Sequence, residues 1–187
     1  MIMINKSLYE LINTLHDDMN FKECTPLTDT QTDERYDLEL VVRYLLYISF
    51  SEGYLDDIDK SRSMDTFLTE ELEKYAQQRE SASVEEVQDK FHRIFALLNE
   101  TCGENVFKKY QDERFKGPVM LASFESIIPG LFLNLDYWEL HKEELRDRIK
   151  NLYTCEEFIA ATRRGIRALD RMSQLIKFSR VWFAHED

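Results

Sequence analysis

The chain is poor in turn formers: its 187 residues include only 5 glycines and 3 prolines. An antiparallel sheet needs turn chemistry at every hairpin, so this scarcity argues against a many-stranded architecture. Cysteine is also sparse. Cys24, Cys102 and Cys155 are odd in number, far apart and not in paired metal-ligand spacing, as expected of reduced thiols in a cytoplasmic protein. No apolar run approaches the roughly 18 residues of a membrane span, and the opening MIMI lacks a cationic leader, so neither membrane insertion nor export is expected. Basic charge is in deficit as well: 24 Lys and Arg face 36 Asp and Glu, for a formal net charge of −12. Phosphates would meet a repulsive field over most of such a surface, which argues against a broad nucleic-acid interface.

Other absences narrow the chemistry. Gly53, Gly103, Gly117, Gly130 and Gly165 stand alone, so there is no glycine-rich phosphate loop, and no Ser or Cys nucleophile signature is present. A di-iron bundle wants two Glu-x-x-His pairs plus two further Glu, and only Asp89-x-x-His92 comes near. His16 and His141 have carboxylate neighbours but no second His at metal spacing. No metal site and no cofactor are expected.

What the chain does have is helical periodicity. In Asp37 to Phe50, DLELVVRYLLYISF, the residues Leu38, Val41, Val42, Leu45, Leu46 and Ile48 cover a face too wide for a surface helix. This segment reads as a central, largely buried helix, with Asp37 near its positive end. Glu39 and Arg43 are spaced for an i, i+4 ion pair that fixes packing. A first amphipathic helix carries Leu8, Leu11, Ile12 and Leu15, and residues 21 to 35 read as a connecting loop. After the acidic YLDDIDKSRS, also read as a loop, a helix is expected from about Met64 to Gln78. Ser83 and Glu86 have capping-box spacing for the next, which Gly103 stops.

Residues 104 to 116 read as a helical turn and a charged connection. The second apolar helix, VMLASFESIIPGLFLNL, is expected to pack on the one from Asp37 and to kink or end at Pro129. A mixed helix around Glu139 to Lys150 follows. Thr154 and Glu157 then have capping-box spacing for a long last helix to about Trp182, with Ile166, Leu169, Met172, Ile176 and Phe183 on one side. On another side fall Arg163, Arg164, Arg167 and Arg171, a basic strip suited to ion pairing or to docking a partner. The sum is an all-α protein, one helical bundle of about six to seven helices, with residues 1–187 forming a single domain.

Near the end, Arg180 and His185 have the Arg-x4-His spacing, which is similar to the signature of HEPN ribonucleases. That resemblance implies an all-α, metal-independent endoribonuclease or toxin whose two residues act on RNA from a homodimer interface. The chemistry is reasonable, since His exchanges protons near neutral pH and Arg stabilises charge on a scissile phosphate. Val181 stands where such pairs carry a polar residue, and a chain end is a poor place to fix a catalytic imidazole.

Four further segments carry a second likeness. They are DLELVVRYLLY, Tyr54 followed by FLTEEL at 67–72, KFHRIFALLNETCGENVFKKY at 90–110, and RFKGPVMLASFESI at 114–127. In this order they resemble the helical region that follows the ParB-like nuclease domain of GmrSD-type modification-dependent restriction endonucleases, and SRVWF resembles the way such regions close. That family assigns its chemistry to an N-terminal Asp-Gly-Gln-Gln-Arg-type motif and, in many members, to a His-Asn-His nuclease domain. This sequence has neither motif. The resemblance therefore implies a non-catalytic accessory module, a fragment or free-standing relative of a larger restriction protein, whose partner is a nuclease domain or subunit of a defence system. A further alternative is an acidic, antitoxin-like inhibitor, because an acidic surface masks a basic nuclease groove.

Overall fold

The computed structural model describes residues 6–78 and 82–185. Its helices are α1 (Lys6–His16), α2 (Met19–Cys24), α3 (Asp29–Asp33), α4 (Tyr36–Ser49), α5 (Glu52–Asp57), α6 (Met64–Gln78), α7 (Ala82–Cys102), α8 (Leu121–Leu133), α9 (Leu135–Leu140), α10 (Lys142–Asn151), α11 (Glu156–Ala161) and α12 (Ala168–Trp182). Single 3₁₀ turns lie at Gly103–Asn105 and Leu152–Thr154, and one small hairpin pairs β1 (Lys109–Gln111) with β2 (Arg114–Lys116). The class is all-α, as expected, but the described residues hold twelve α-helices. Five of these, α2, α3, α5, α9 and α11, span only five or six residues. Such helices are too short to show an apolar period, and three of them are set by side-chain caps: Asp18 accepts from the Phe21 N–H, Thr28 and Gln31 close a capping box, and Ser51 accepts from the Tyr54 N–H.

Two apolar helices organise the core. Helix α4 buries Val41, Leu45 and Leu46 of the face read from its sequence, leaves Leu38, Val42 and Ile48 half-buried, and also buries Leu40, Tyr44 and Tyr47, because it is surrounded on more sides than one apolar stripe implies. Helix α8 goes further, with every residue from Ala122 to Leu131 buried. It packs on α4 as expected and most extensively on α12, so α8 is the hub. The closest approach is at Gly130. A Cβ there would meet the Ser179 carbonyl and lie 2.7 Å from Phe183 Cβ, so only glycine lets the two helices touch. Pro129 does not end α8, which continues to Leu133. The Gly130 N–H, next to that break in the donor ladder, donates to Ser179 Oγ at 2.7 Å. An aromatic cluster of Phe21, Tyr44, Phe91 and Phe95 ties α2 and α4 to α7.

Several expectations give way: residues 21–35 and YLDDIDKSRS, read as loops, hold most of α2, all of α3 and most of α5, helices too short to show a period. The segment 104–116 contains a β-hairpin whose turn residues Asp112 and Glu113 both lie in the left-handed region, φ 53° and 60°. That geometry prefers Asn-Gly, and Asp-Glu carries no such turn signal. The long last helix is broken into α11 and α12 by a turn through Gly165, φ +93°, which leaves Ile166 exposed instead of inward. Thr154 does not cap it: the Thr154 hydroxyl donates to the Asn151 carbonyl, and Cys155 occupies the cap position. Ser83, expected to cap α7, lies inside that helix with its side chain outside the described residues, as do residues 1–5, on which the reading of the chain's opening fell. No described helix is long and apolar enough to cross a membrane.

Candidate functional site

The residues singled out by sequence fall into three places. The first is buried. Residues 39, 43 and 47 follow one another at i+4 on α4, so their side chains stack along one face. Arg43 Nε donates to Glu39 Oε1 at 2.8 Å, and Arg43 Nη1 donates to the Tyr47 hydroxyl at 2.7 Å. Tyr47 in turn donates to Glu125 Oε1 at 3.3 Å. Glu125, on α8, has no exposed side-chain surface and also accepts from Arg171 of α12, whose Nε lies 2.8 Å from Oε2 and Nη2 3.3 Å from Oε1. Two carboxylates and two guanidiniums thus balance in a network that runs from buried Arg43 and Glu125 to the half-buried Glu39 and Arg171 and joins three helices. Burial and the Glu125 charge push the Tyr47 phenol well above its usual range, although Arg43 opposes them. Burial works against charge on Arg43, yet Tyr47 and Glu39 outweigh it and hold the guanidinium protonated. For Arg171, Glu125 outweighs burial in the same way.

The pair Glu39 and Arg43 therefore does form, and it belongs to a larger packing network. Glu125 and Tyr47 were missed by sequence reasoning. The available signal was a lone acid inside an apolar helix, which must find a buried partner. Asp37 lies in the first turn of α4, where one carboxylate oxygen accepts from the Leu38 N–H at 2.9 Å and the other meets His16 Nε2 at 2.6 Å. His92 Nδ1 contacts Asp18 at 2.6 Å in the same manner, which clamps the α1–α2 turn to α7.

The second place is the chain end. Arg180 turns toward the end of α4, where its Nη2 donates to the Phe50 carbonyl, and its Nε is buried with no hydrogen-bond partner among the described residues. Burial pulls its guanidinium below the usual range, against the opposing charge of Glu52. His185 stacks instead on the Tyr137 ring of α9, centroids 4.4 Å apart and planes 10° from parallel, while His141 covers the other face of that ring at 4.0 Å. The two residues are held against different elements rather than pointed at a common atom.

The third place is the α11–α12 turn. Arg163, Arg164 and Arg167 are exposed and make no side-chain hydrogen bond or ion pair among the described residues. Ile159 and Ile166, 43% and 38% exposed, sit beside them. The strip read from the sequence is thus divided, because Arg171 lies one turn inside α12 and faces Glu125. The left-handed Gly165 turns the other three out into solvent. Most other arginines are engaged: Arg62 meets Glu70, Arg93 meets Asp136 and Glu139, and Arg148 bonds the Trp182 carbonyl. An open cluster of guanidiniums on a chain of net charge −12 is a local reversal of sign.

Among the described residues, no group of three or more His, Cys, Asp or Glu side chains is placed to hold a metal ion. Comparison of the chain with family models, curated proteins and solved structures finds no match in any of the three.

Proposed function

We propose that this chain is a non-catalytic helical module that works in the cytoplasm by contact with a nuclease domain or subunit of a restriction or phage-defence system. The observation that carries the reading is the turn at Arg163, Arg164 and Arg167. Exposed, unpaired guanidiniums beside two exposed isoleucines have the composition of a docking patch: Arg is enriched at interface cores and forms bidentate bonds with carboxylates. The likeness of the α4, α6, α7 and α8 segments to the helical part of GmrSD-type proteins supplies the kind of partner. The buried Glu125 network supports a scaffold role, since its charges are spent on joining α4, α8 and α12.

The competing reading is a HEPN-like ribonuclease using Arg180 and His185. It fits less well, because Arg180 is tied to the Phe50 carbonyl and His185 is stacked on Tyr137. Incubating the purified chain and an Arg180→Ala, His185→Ala double variant with single-stranded and structured RNA separates the two. The module reading expects no difference between them. Cleavage by the parent that the double variant lacks would overturn it.

A further inference from the structure

A concave feature is built from residues other than those of the arginine turn. The C-terminal end of α7, the β1–β2 hairpin and α10 enclose an open cleft of about 380 Å³. Small-molecule sites begin at roughly 300 Å³, so the space suits a compact metabolite. Its walls are of two kinds. Tyr110 and Phe115 are directly opposed in the hairpin register, and their half-buried rings meet edge to face with centroids 4.9 Å apart, forming an aromatic wall.

The rest of the lining is largely cationic. Arg146 and Lys150 are one turn apart on α10 and both line the cleft. Arg146 is fixed, its Nε and Nη2 donating to the Thr101 carbonyl at 2.8 and 2.6 Å, where α7 ends and a cation is favoured. Lys150 Nζ lies 5.9 Å from the Tyr110 ring centroid. Its ion pair is with Asp147, a carboxylate 69% exposed, and such a screened surface pair is weak enough for a ligand anion to displace it. At the rim, exposed Arg114 makes no side-chain bond among the described residues, and Glu113 is the opposing charge. Arg114, Arg146 and Lys150 against Glu113 in the lining and Asp147 beside Lys150 leave the cleft locally cationic in an acidic protein.

We propose that this cleft binds a mononucleotide-sized ligand, its phosphate held by Arg146 and Lys150 and its aromatic ring against Tyr110 and Phe115. A guanidinium fixed by Thr101 is preorganised for phosphate oxygens, and the ammonium adds a mobile point charge. Base stacking on aromatic side chains is tolerant of base identity, so the class is better defined than the member. Cys102 lines the same cleft and serves as a built-in reporter. Burial pushes its thiol up to about 11, against Arg146 and Lys150, so it is a slow target for alkylation rather than a nucleophile.

The test uses the whole chain and a panel of AMP, GMP, CMP and UMP, with inorganic phosphate as the ring-free probe. Titration calorimetry is expected to show saturable binding of at least one nucleotide with Kd below about 1 mM, and about tenfold weaker binding of phosphate. Lys150→Gln should weaken the nucleotide by about tenfold, whereas Lys109→Gln, one of the outer hairpin lysines, should not. The bound nucleotide should also slow Cys102 modification by N-ethylmaleimide, read by peptide mass spectrometry. Absence of saturable binding, phosphate binding as tightly as every nucleotide, equal loss in both lysine variants, or unchanged Cys102 labelling would each overturn the proposal.

Discussion

Replacing Glu125 by Gln keeps the side chain's shape and removes its charge, which makes it the sharpest probe of the core network. Glu125 has 0% side-chain exposure and accepts two bonds from Arg171, at 2.8 and 3.3 Å, and one from Tyr47 at 3.3 Å. Removing one partner of a buried ion pair costs about 3–5 kcal/mol, because the charge left behind stays desolvated. Arg171 keeps 25% of its side chain in contact with solvent and can recover some hydration, whereas Arg43 keeps only 4%. The expected loss is therefore at the lower end, about 3 kcal/mol, a large share of the roughly 5–15 kcal/mol of a typical domain. Urea unfolding followed by circular dichroism measures it, with the slope of the transition unchanged. Arg171→Met should be similarly damaging, and the double variant should lose at least about 1 kcal/mol less than the sum of the two singles, since each single removes the same contact. A loss under about 1 kcal/mol for Glu125→Gln, or strict additivity, would refute the claim that this network joins the three helices.

Gly130→Ala should destabilise by about 1–3 kcal/mol or more, because the new methyl overlaps Ser179 and Phe183; an unchanged thermal midpoint would show that α8 and α12 are farther apart than described. Burial alone would raise the Asp37 carboxyl, but His16 and the Leu38 N–H outweigh it and hold the pKa below its ordinary 3.8. A depressed folded pKa gives stability that is present above the unfolded value and is lost as pH falls through the folded one. Asp37→Asn should therefore lower the melting temperature at neutral pH, and the gap to the parent should close as pH drops below 3.8; a constant gap would contradict the pairing. Arg148 sits 5.7 Å from the Trp138 ring and 5.4 Å from the Trp182 ring and bonds the Trp182 carbonyl. Arg148→Met should cost about 1 kcal/mol and shift tryptophan emission to the red, and an unaltered spectrum would count against the sandwich.

The long helices were legible because their apolar residues recur at helical spacing: Leu8, Leu11, Ile12 and Leu15 of α1 are buried as their order indicates, and so are Val41, Leu45 and Leu46 of α4, whose Leu38, Val42 and Ile48 are half-buried. Removing the five short helices from the twelve leaves seven of ten residues or more, the range expected from periodicity. What periodicity cannot show is a break made by backbone conformation. Arg163 to Arg171 look like a stripe when wound at 100° per residue, but Gly165 at φ +93° turns the chain, and the stripe becomes an exposed cluster plus one half-buried arginine paired with Glu125. The hairpin escaped notice because Asp112 and Glu113 take a left-handed turn without glycine or asparagine. The cleft under it brings the end of α7 and the hairpin onto α10, as where Thr101 meets Arg146, 45 residues along the chain, and no local pattern reports such a meeting.

The claim at the centre of this account is that the α11–α12 turn is the face by which the chain holds a nuclease polypeptide. Its direct measure is affinity co-purification from the native host with the parent chain and with an Arg163→Ser, Arg164→Ser, Arg167→Ser variant, followed by identification of what is retained. The account predicts a nuclease subunit held by the parent, released as salt rises, and not held by the variant, whose fold should be intact because surface changes of this kind shift stability by no more than about 0.5 kcal/mol. Equal retention of that subunit by both proteins, or retention of no nuclease by either at any salt concentration, would contradict it.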